Sequence, residues 1–111
     1  MATTTATKPA QIYSPKYSTI DHNNSEMFKY SILEKIIDSE NLTLILDLSN
    51  VKEMYSSGIG VLIFLESYLK DSNGKLKLAG LDKNLLTRFE TRGLHNIFEI
   101  YETIDAAQQS H

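Results

Sequence analysis

The hydrophobic patterning predicts an α/β fold: a mixed, largely parallel sheet of four or five strands with about four helices on its faces. Three observations carry this. Leu42 to Leu48 (LTLILDL) is a nearly continuous apolar run, the signature of a strand buried on both sides. Stretches on either side of it place apolar residues at helical spacing. From residue 27 onward helix and strand patterns alternate, and strands separated by single helices imply crossover connections and mainly parallel pairing.

Taken in order, residues 1 to about 10 are rich in Thr and Ala and are expected to form a flexible tail ahead of a single domain spanning residues 11–109. Ile12-Tyr13 and Tyr17 to Ile20 read as short strands, interrupted at Ser14-Pro15, which suggests an edge that could pair antiparallel. Asp21 to Ser25 holds turn and cap residues, and Ser25 is a candidate helix start. Met27 to Ile37 is amphipathic, with Phe28, Ile32, Leu33, Ile36 and Ile37 on the apolar stripe. After the LTLILDL strand, Ser56 to Lys70 reads as a second helix. Leu62, Leu65 and Leu69 form its core stripe, widened by Ile59, Ile63 and Phe64. Asp71-Ser72-Asn73-Gly74 is a turn, and Lys75 to Ala79 (KLKLA) alternates like a half-buried strand. Lys83 to Glu90 is a third helix with Leu85, Leu86 and Phe89 facing in, ended by Gly93. Ile97 to Tyr101 is the last strand and Ile104 to Gln109 the last helix.

The chain has 111 residues, 41% hydrophobic and 23% charged, which suits one folded domain. A net charge of −3 argues against nucleic-acid and anionic-membrane partners, which select basic surfaces. There is no cysteine, hence no disulfide, no Cys-type zinc site and no thiol nucleophile. No apolar run reaches the length that spans a bilayer, and the N-terminus lacks the basic start and apolar centre of a secretory signal. A cytoplasmic location is the expectation.

The informative stretch runs from Asp47 to Leu62 (DLSNVKEMYSSGIGVL). A buried strand ends in Asp47, a short loop follows, and Ser56-Ser57-Gly58 opens a helix. Ser56 is a candidate N-cap. A helix start presents amide hydrogens and partial positive charge, so a phosphate there is favoured. Gly58 and Gly60 remove side chains, so that a partner's backbone can approach. The plainer reading of the same residues is a capping serine and glycines that permit helix–sheet packing.

The stretch resembles the signature of STAS domains, the fold of bacterial anti-sigma factor antagonists: a strand ending in Asp-x-Ser, a small apolar loop, then Asp-Ser-Ser-Gly-Ile/Leu-Gly-x-Leu. Here Asp47-Leu48-Ser49, Val51, Met54, Ser56-Ser57-Gly58-Ile59-Gly60 and Leu62 carry it. The resemblance extends through Ile20-Asp21, Leu76 to Gly80, Phe89, Gly93-Leu94, Phe98-Glu99-Ile100-Tyr101 and Asp105-Ala106-Ala107, and covers roughly residues 12 to 107. It implies a STAS-like fold and a non-enzymatic switch without cofactor or metal. Ser56 matches the serine phosphorylated by a partner kinase that doubles as an anti-sigma factor. A metal-dependent phosphatase reverses the step, possibly as part of the same protein, and the unphosphorylated form binds the kinase-like partner. The implied partner-binding residues are Asp21, Met54, Tyr55, Ser56, Ser57, Gly58, Ile59 and Gly60. Self-association is left open, and such domains control sigma factors, biofilm formation or secretion. Two departures stand out. Tyr55 occupies the position where the family usually has Asp, and the N-terminal strand region is short and broken by Pro15.

The same residues admit other readings. A STAS scaffold without a fast phosphorylation switch is the alternative that Tyr55 keeps open. A receiver-like phosphoaspartate domain would use Asp47 as acceptor, but no acidic pair follows the first strand; the plainer role for Asp47 is to cap the following loop. Ser-Ser-Gly-Ile-Gly is not Gly-x-Ser-x-Gly, and no His and Asp pair with it as a hydrolase needs. His22, His95 and His111 are dispersed and read as surface residues. Gly58-x-Gly60 lacks the third glycine of a dinucleotide fingerprint. Met54, Tyr55, Ile59 and Phe64 are expected to form either an apolar rim around Ser56 or, for Met54 and Phe64, part of the core.

Overall fold

The computed structural model of the chain describes residues 10–110. The tail expected over residues 1 to about 10 therefore lies outside the described residues, except that Ala10 already belongs to the first strand. The elements are β1 (Ala10–Tyr13), β2 (Thr19–Ile20), α1 (Ser25–Ile36), β3 (Thr43–Asp47), β4 (Glu53–Met54), α2 (Ser56–Asp71), β5 (Lys75–Ala79), α3 (Lys83–Thr91), a 3₁₀ turn at Leu94–Asn96, β6 (Glu99–Tyr101) and α4 (Ile104–Gln109). Among the described residues, β1, β3, β5 and β6 form a four-stranded sheet in that spatial order, and β2 pairs with β4 in a separate small ladder. The fold is α/β, as the alternating patterns imply.

Every pairing among the described residues is parallel. This corrects the antiparallel edge: β1 lies beside β3 in parallel, with Ile12 opposite Ile45 and Tyr13 opposite Leu46. Pro15 lies two residues beyond the end of an edge strand, where its missing amide hydrogen breaks no ladder. The strand is regular despite being short.

β3 sits between two cores because its side chains alternate between faces. Leu44 and Leu46 point to one side, with Leu76 and Leu78 of β5, and are covered by Phe28, Ile32 and Ile36 of α1, Leu62, Leu65 and Leu69 of α2, and Leu85 and Phe89 of α3. Ile45 points to the other side, beside Ala79 of β5, where Ala107 of α4 closes over it. Leu33 is only half-buried, and Ile37 and Ile63 are exposed, so the apolar stripes are narrower than their sequence patterns suggest.

β5 departs from the half-buried strand expected of KLKLA. Lys77 is 3% exposed. Its ammonium donates to the carbonyls of Ala107 at 2.9 Å and Ser110 at 2.8 Å, so the buried charge is hydrogen-bonded rather than solvated. Gly93 has φ of 73°, a left-handed conformation that suits glycine at a helix end. The last strand is shorter than expected, because Leu94–Asn96 forms a 3₁₀ turn before it.

Candidate functional site

The site is built by the small ladder. After β3 the chain turns through Leu48 and Val51, both fully buried, which pin the loop to the core. It then runs alongside β2. Lys52 donates its amide to the Ser18 carbonyl at 2.7 Å, Thr19 is opposite Glu53, Ile20 opposite Met54, and the Tyr55 amide reaches the Ile20 carbonyl at 2.9 Å. This pairing sets Asp21-His22, at the exit of β2, beside Tyr55-Ser56-Ser57, at the start of α2. Together these five residues line a surface cleft of about 530 Å³.

The Asp21 side of the cleft is held by local hydrogen bonds. Asp21 accepts from the Asn23 amide at 2.9 Å, and Asn24 accepts from the Asp21 amide at 2.9 Å while donating to the Thr19 carbonyl at 2.8 Å. The Asp21 carbonyl accepts from the Ser25 amide and so opens α1. Ser25 is the first residue of that helix, with Asn24 in the cap position.

On the other side, Ser56 is exposed and is the first residue of α2. This corrects its reading as the N-cap: the cap position belongs to Tyr55, which is extended (φ −93°, ψ 178°), and no side chain caps the helix. The first bond of the helix runs from the Ile59 amide to the Tyr55 carbonyl at 3.1 Å. The amides of Ser56, Ser57 and Gly58 precede it and have no intrahelical partner. The Ser56 hydroxyl thus stands at the positive end of a 16-residue helix.

The residues around it divide into an inner and an outer set. Met54 (5% exposed), Ile59 (8%) and Gly58 are buried; Tyr55 and Phe64 are 46% and 41% exposed. Of the expected rim only Tyr55 stands exposed at the cleft; Met54 and Ile59 belong to the core, and Phe64, exposed rather than in the core, lies about two turns further along α2 against Tyr68 and Lys29. The two glycines also separate. A Cβ at Gly58 would lie 2.7 Å from Ile20 Cγ2 and 2.8 Å from Met54 Cγ, so this glycine admits the small ladder against α2 rather than a partner's backbone. A Cβ at Gly60 would meet nothing within 4 Å, and Gly60 is exposed.

His22, read from the sequence as an isolated surface histidine, is exposed but lines the cleft. Only the β2–β4 pairing brings it there, although its place next to Asp21 was a signal. Asp47 stands at the carboxyl end of β3 and accepts from the Ser49 amide at 3.1 Å and the Ser14 hydroxyl at 2.9 Å. Burial pushes its carboxyl up, but the hydrogen bonds from Ser49 and Ser14 outweigh that and hold it below the ordinary value. Asp47 caps its loop. Among the described residues no group of three His, Asp or Glu side chains is placed to hold a metal, and no helix is long and apolar enough to cross a membrane.

An α/β domain that offers one exposed serine at an uncapped helix start defines the class at the level of fold and site. Residues 10–107 match the STAS domain family, and the chain belongs to it. Over 61 residues it is 38% identical to the anti-sigma-B factor antagonist of Listeria monocytogenes, and equally to that of Listeria innocua. That alignment spans 55% of this chain and 54% of each relative, about half of either length. Among solved structures, an anti-sigma factor antagonist (STAS) domain protein of Planctomyces limnophilus superposes with a TM-score of 0.76 at 16% identity, covering 87% of this chain and 86% of that one. The anti-sigma factor antagonist SpoIIAA in its unphosphorylated form gives 0.72 at 19% identity, over 96% and 91%. The murine anion transporter Slc26a9 gives 0.75 at 20% identity, over 89% of this chain but 17% of the transporter. These three share the fold.

Proposed function

We propose that the protein is a non-enzymatic, cytoplasmic partner-switching regulator whose switch is reversible phosphorylation of Ser56. The observation that carries this is the exposed Ser56 hydroxyl at the uncapped start of α2, in a cleft shared with Asp21, His22, Tyr55 and Ser57. The unmodified form binds a serine kinase of the anti-sigma type through this surface, and a metal-dependent phosphatase resets it. Asp21, Tyr55, Ser56, Ser57 and Gly60 supply the contact surface; Met54, Gly58 and Ile59 shape it from beneath.

The physical chemistry supports a switch that leaves the fold intact. A phosphate on Ser56 adds about −1.5 to −2 charges at a helix start that can stabilise them. The same charge inside an interface desolvates poorly and repels acidic groups opposite. About 1.4 kcal/mol of lost binding is already tenfold. Titration of the kinase partner with each variant tests this. Ser56→Ala is expected to bind as wild type does, and Ser56→Asp to bind at least about tenfold more weakly with an unchanged circular-dichroism spectrum. Equal affinity for Ser56→Asp and wild type would refute the switch and favour a scaffold role, the reading that Tyr55 in place of the family's Asp keeps open.

A further inference from the structure

The far face of the sheet is held differently from the near one. α4 is six residues long and, among the described helices, is the one on that face. Its apolar contribution is small: Ala107 is buried on Ile45 and Ala79, with Ile104 and Tyr101 partly buried at the margin. The cover ends before β1, where Ile12, in register with Ile45, is 42% exposed.

The rest of the attachment is polar and centres on Lys77, with Tyr101 beside it. Lys77 rises from β5 and donates to the Ala107 carbonyl at 2.9 Å and the Ser110 carbonyl at 2.8 Å, at the carboxyl end of α4. The ammonium also lies 5.4 Å from the centre of the Tyr101 ring. Tyr101 makes hydroxyl contacts of 2.7 Å with both Glu99 and Ser110, and Glu99 is the residue paired with Lys77 across the β5–β6 ladder. A cation at the carboxyl end of a helix is favourable for the carbonyls it meets. If α4 lifts, water can take over both the ammonium and those carbonyls, so opening strands no charge in an apolar interior. On the near face the opposite holds, because separating α1 or α2 from the sheet would expose most of the main core.

We propose that α4 is a strap that opens and closes independently of the rest of the domain, with Lys77 as its lock. Opening bares Ile45 and Ala79 beside the already exposed Ile12 and leaves the near face and the Ser56 cleft folded.

Native-state hydrogen exchange on the full chain, followed across low denaturant concentrations, tests this without any variant. The α4 amides, Ala107 among them, are expected to exchange through a denaturant-insensitive local opening, while Leu44 to Leu46 exchange only with global unfolding. If Ala107 follows the same denaturant dependence as Leu46, the strap does not open separately and the proposal falls. Lys77→Met keeps an apolar stem and deletes the donors. It is expected to speed α4 exchange at least about tenfold, the equivalent of about 1.4 kcal/mol, with the sheet still protected. Unchanged α4 exchange would show that Lys77 is not the lock. Loss of the whole fold would contradict the proposal equally, since the lysine would then hold more than α4.

Discussion

The starts of α2 and α3 have similar backbones and opposite chemistry. Tyr55 and Asp82 both occupy the cap position in extended geometry, with ψ of 178° and 169°. At α3 the Asp82 carboxylate accepts from the Leu85 amide at 2.9 Å and lies 3.7 Å from the Lys52 ammonium, so the helix start is closed by side chains. At α2 the cap residue is aromatic, no side chain closes the turn, and two hydroxyls follow it. One start is finished for stability, and the other is left open to solvent beside a cleft. The family's usual Asp before the serine would fall at Tyr55, the cap position. Its replacement therefore removes a capping carboxylate as well as an acidic neighbour of Ser56.

Several substitutions break or sharpen this contrast. The largest effect is expected beneath the open start. Gly58→Ala drives a methyl into Ile20 and Met54 and should lower stability by about 1–3 kcal/mol in denaturant unfolding, whereas Gly60→Ala meets open space and should raise it by up to about 1 kcal/mol through helix propensity. If both alanines act alike, the inner and outer assignment of the two glycines is wrong. Next come the caps. Asp82→Ala should cost about 1 kcal/mol, Tyr55→Asp should gain a similar amount by closing α2, and Ser56→Ala should stay within about 0.5 kcal/mol. Thermal unfolding of the three variants side by side checks the order, and a Ser56→Ala loss as large as that of Asp82→Ala would make Ser56 a structural cap after all.

The smallest effect concerns the loop between β3 and the open start. The Asp47 carboxyl is held below its ordinary value of 3.8. Its contribution to stability is thus fully present above that value and is lost as pH falls through it toward the lower folded value. Asp47→Asn should flatten that part of the acid limb in a pH series of thermal midpoints. An Asp47→Asn chain that loses stability with acid as steeply as wild type would remove the carboxylate from the account.

Much of the fold was legible because burial leaves periodic traces. Leu44 to Leu46 is buried on both faces as its unbroken run implied, Lys75–Ala79 and Ile104–Gln109 have the bounds their patterns imply, and Leu62, Leu65 and Leu69 line the core. What escaped depends on partners distant in sequence. Lys77, the second lysine of KLKLA, looks like a solvent-facing residue until the end of α4 supplies carbonyls for it. β1 chooses parallel pairing through its neighbour, not through its own four residues. At the site, the serine-glycine stretch was readable, but a shift of one residue separates a cap from the first helical position. The cleft itself depends on the β2–β4 ladder, two residues long on each side and too short to leave a period.

The central claim is that Ser56, at the open start of α2, is the residue that is modified. Incubating the protein with ATP and a serine kinase of the anti-sigma class, then mapping the modified peptide by mass spectrometry, tests it most directly. The account predicts one phosphate on Ser56, absent from Ser56→Ala and retained in Ser57→Ala; label on Ser57 or Tyr55, or no label at all, would contradict it.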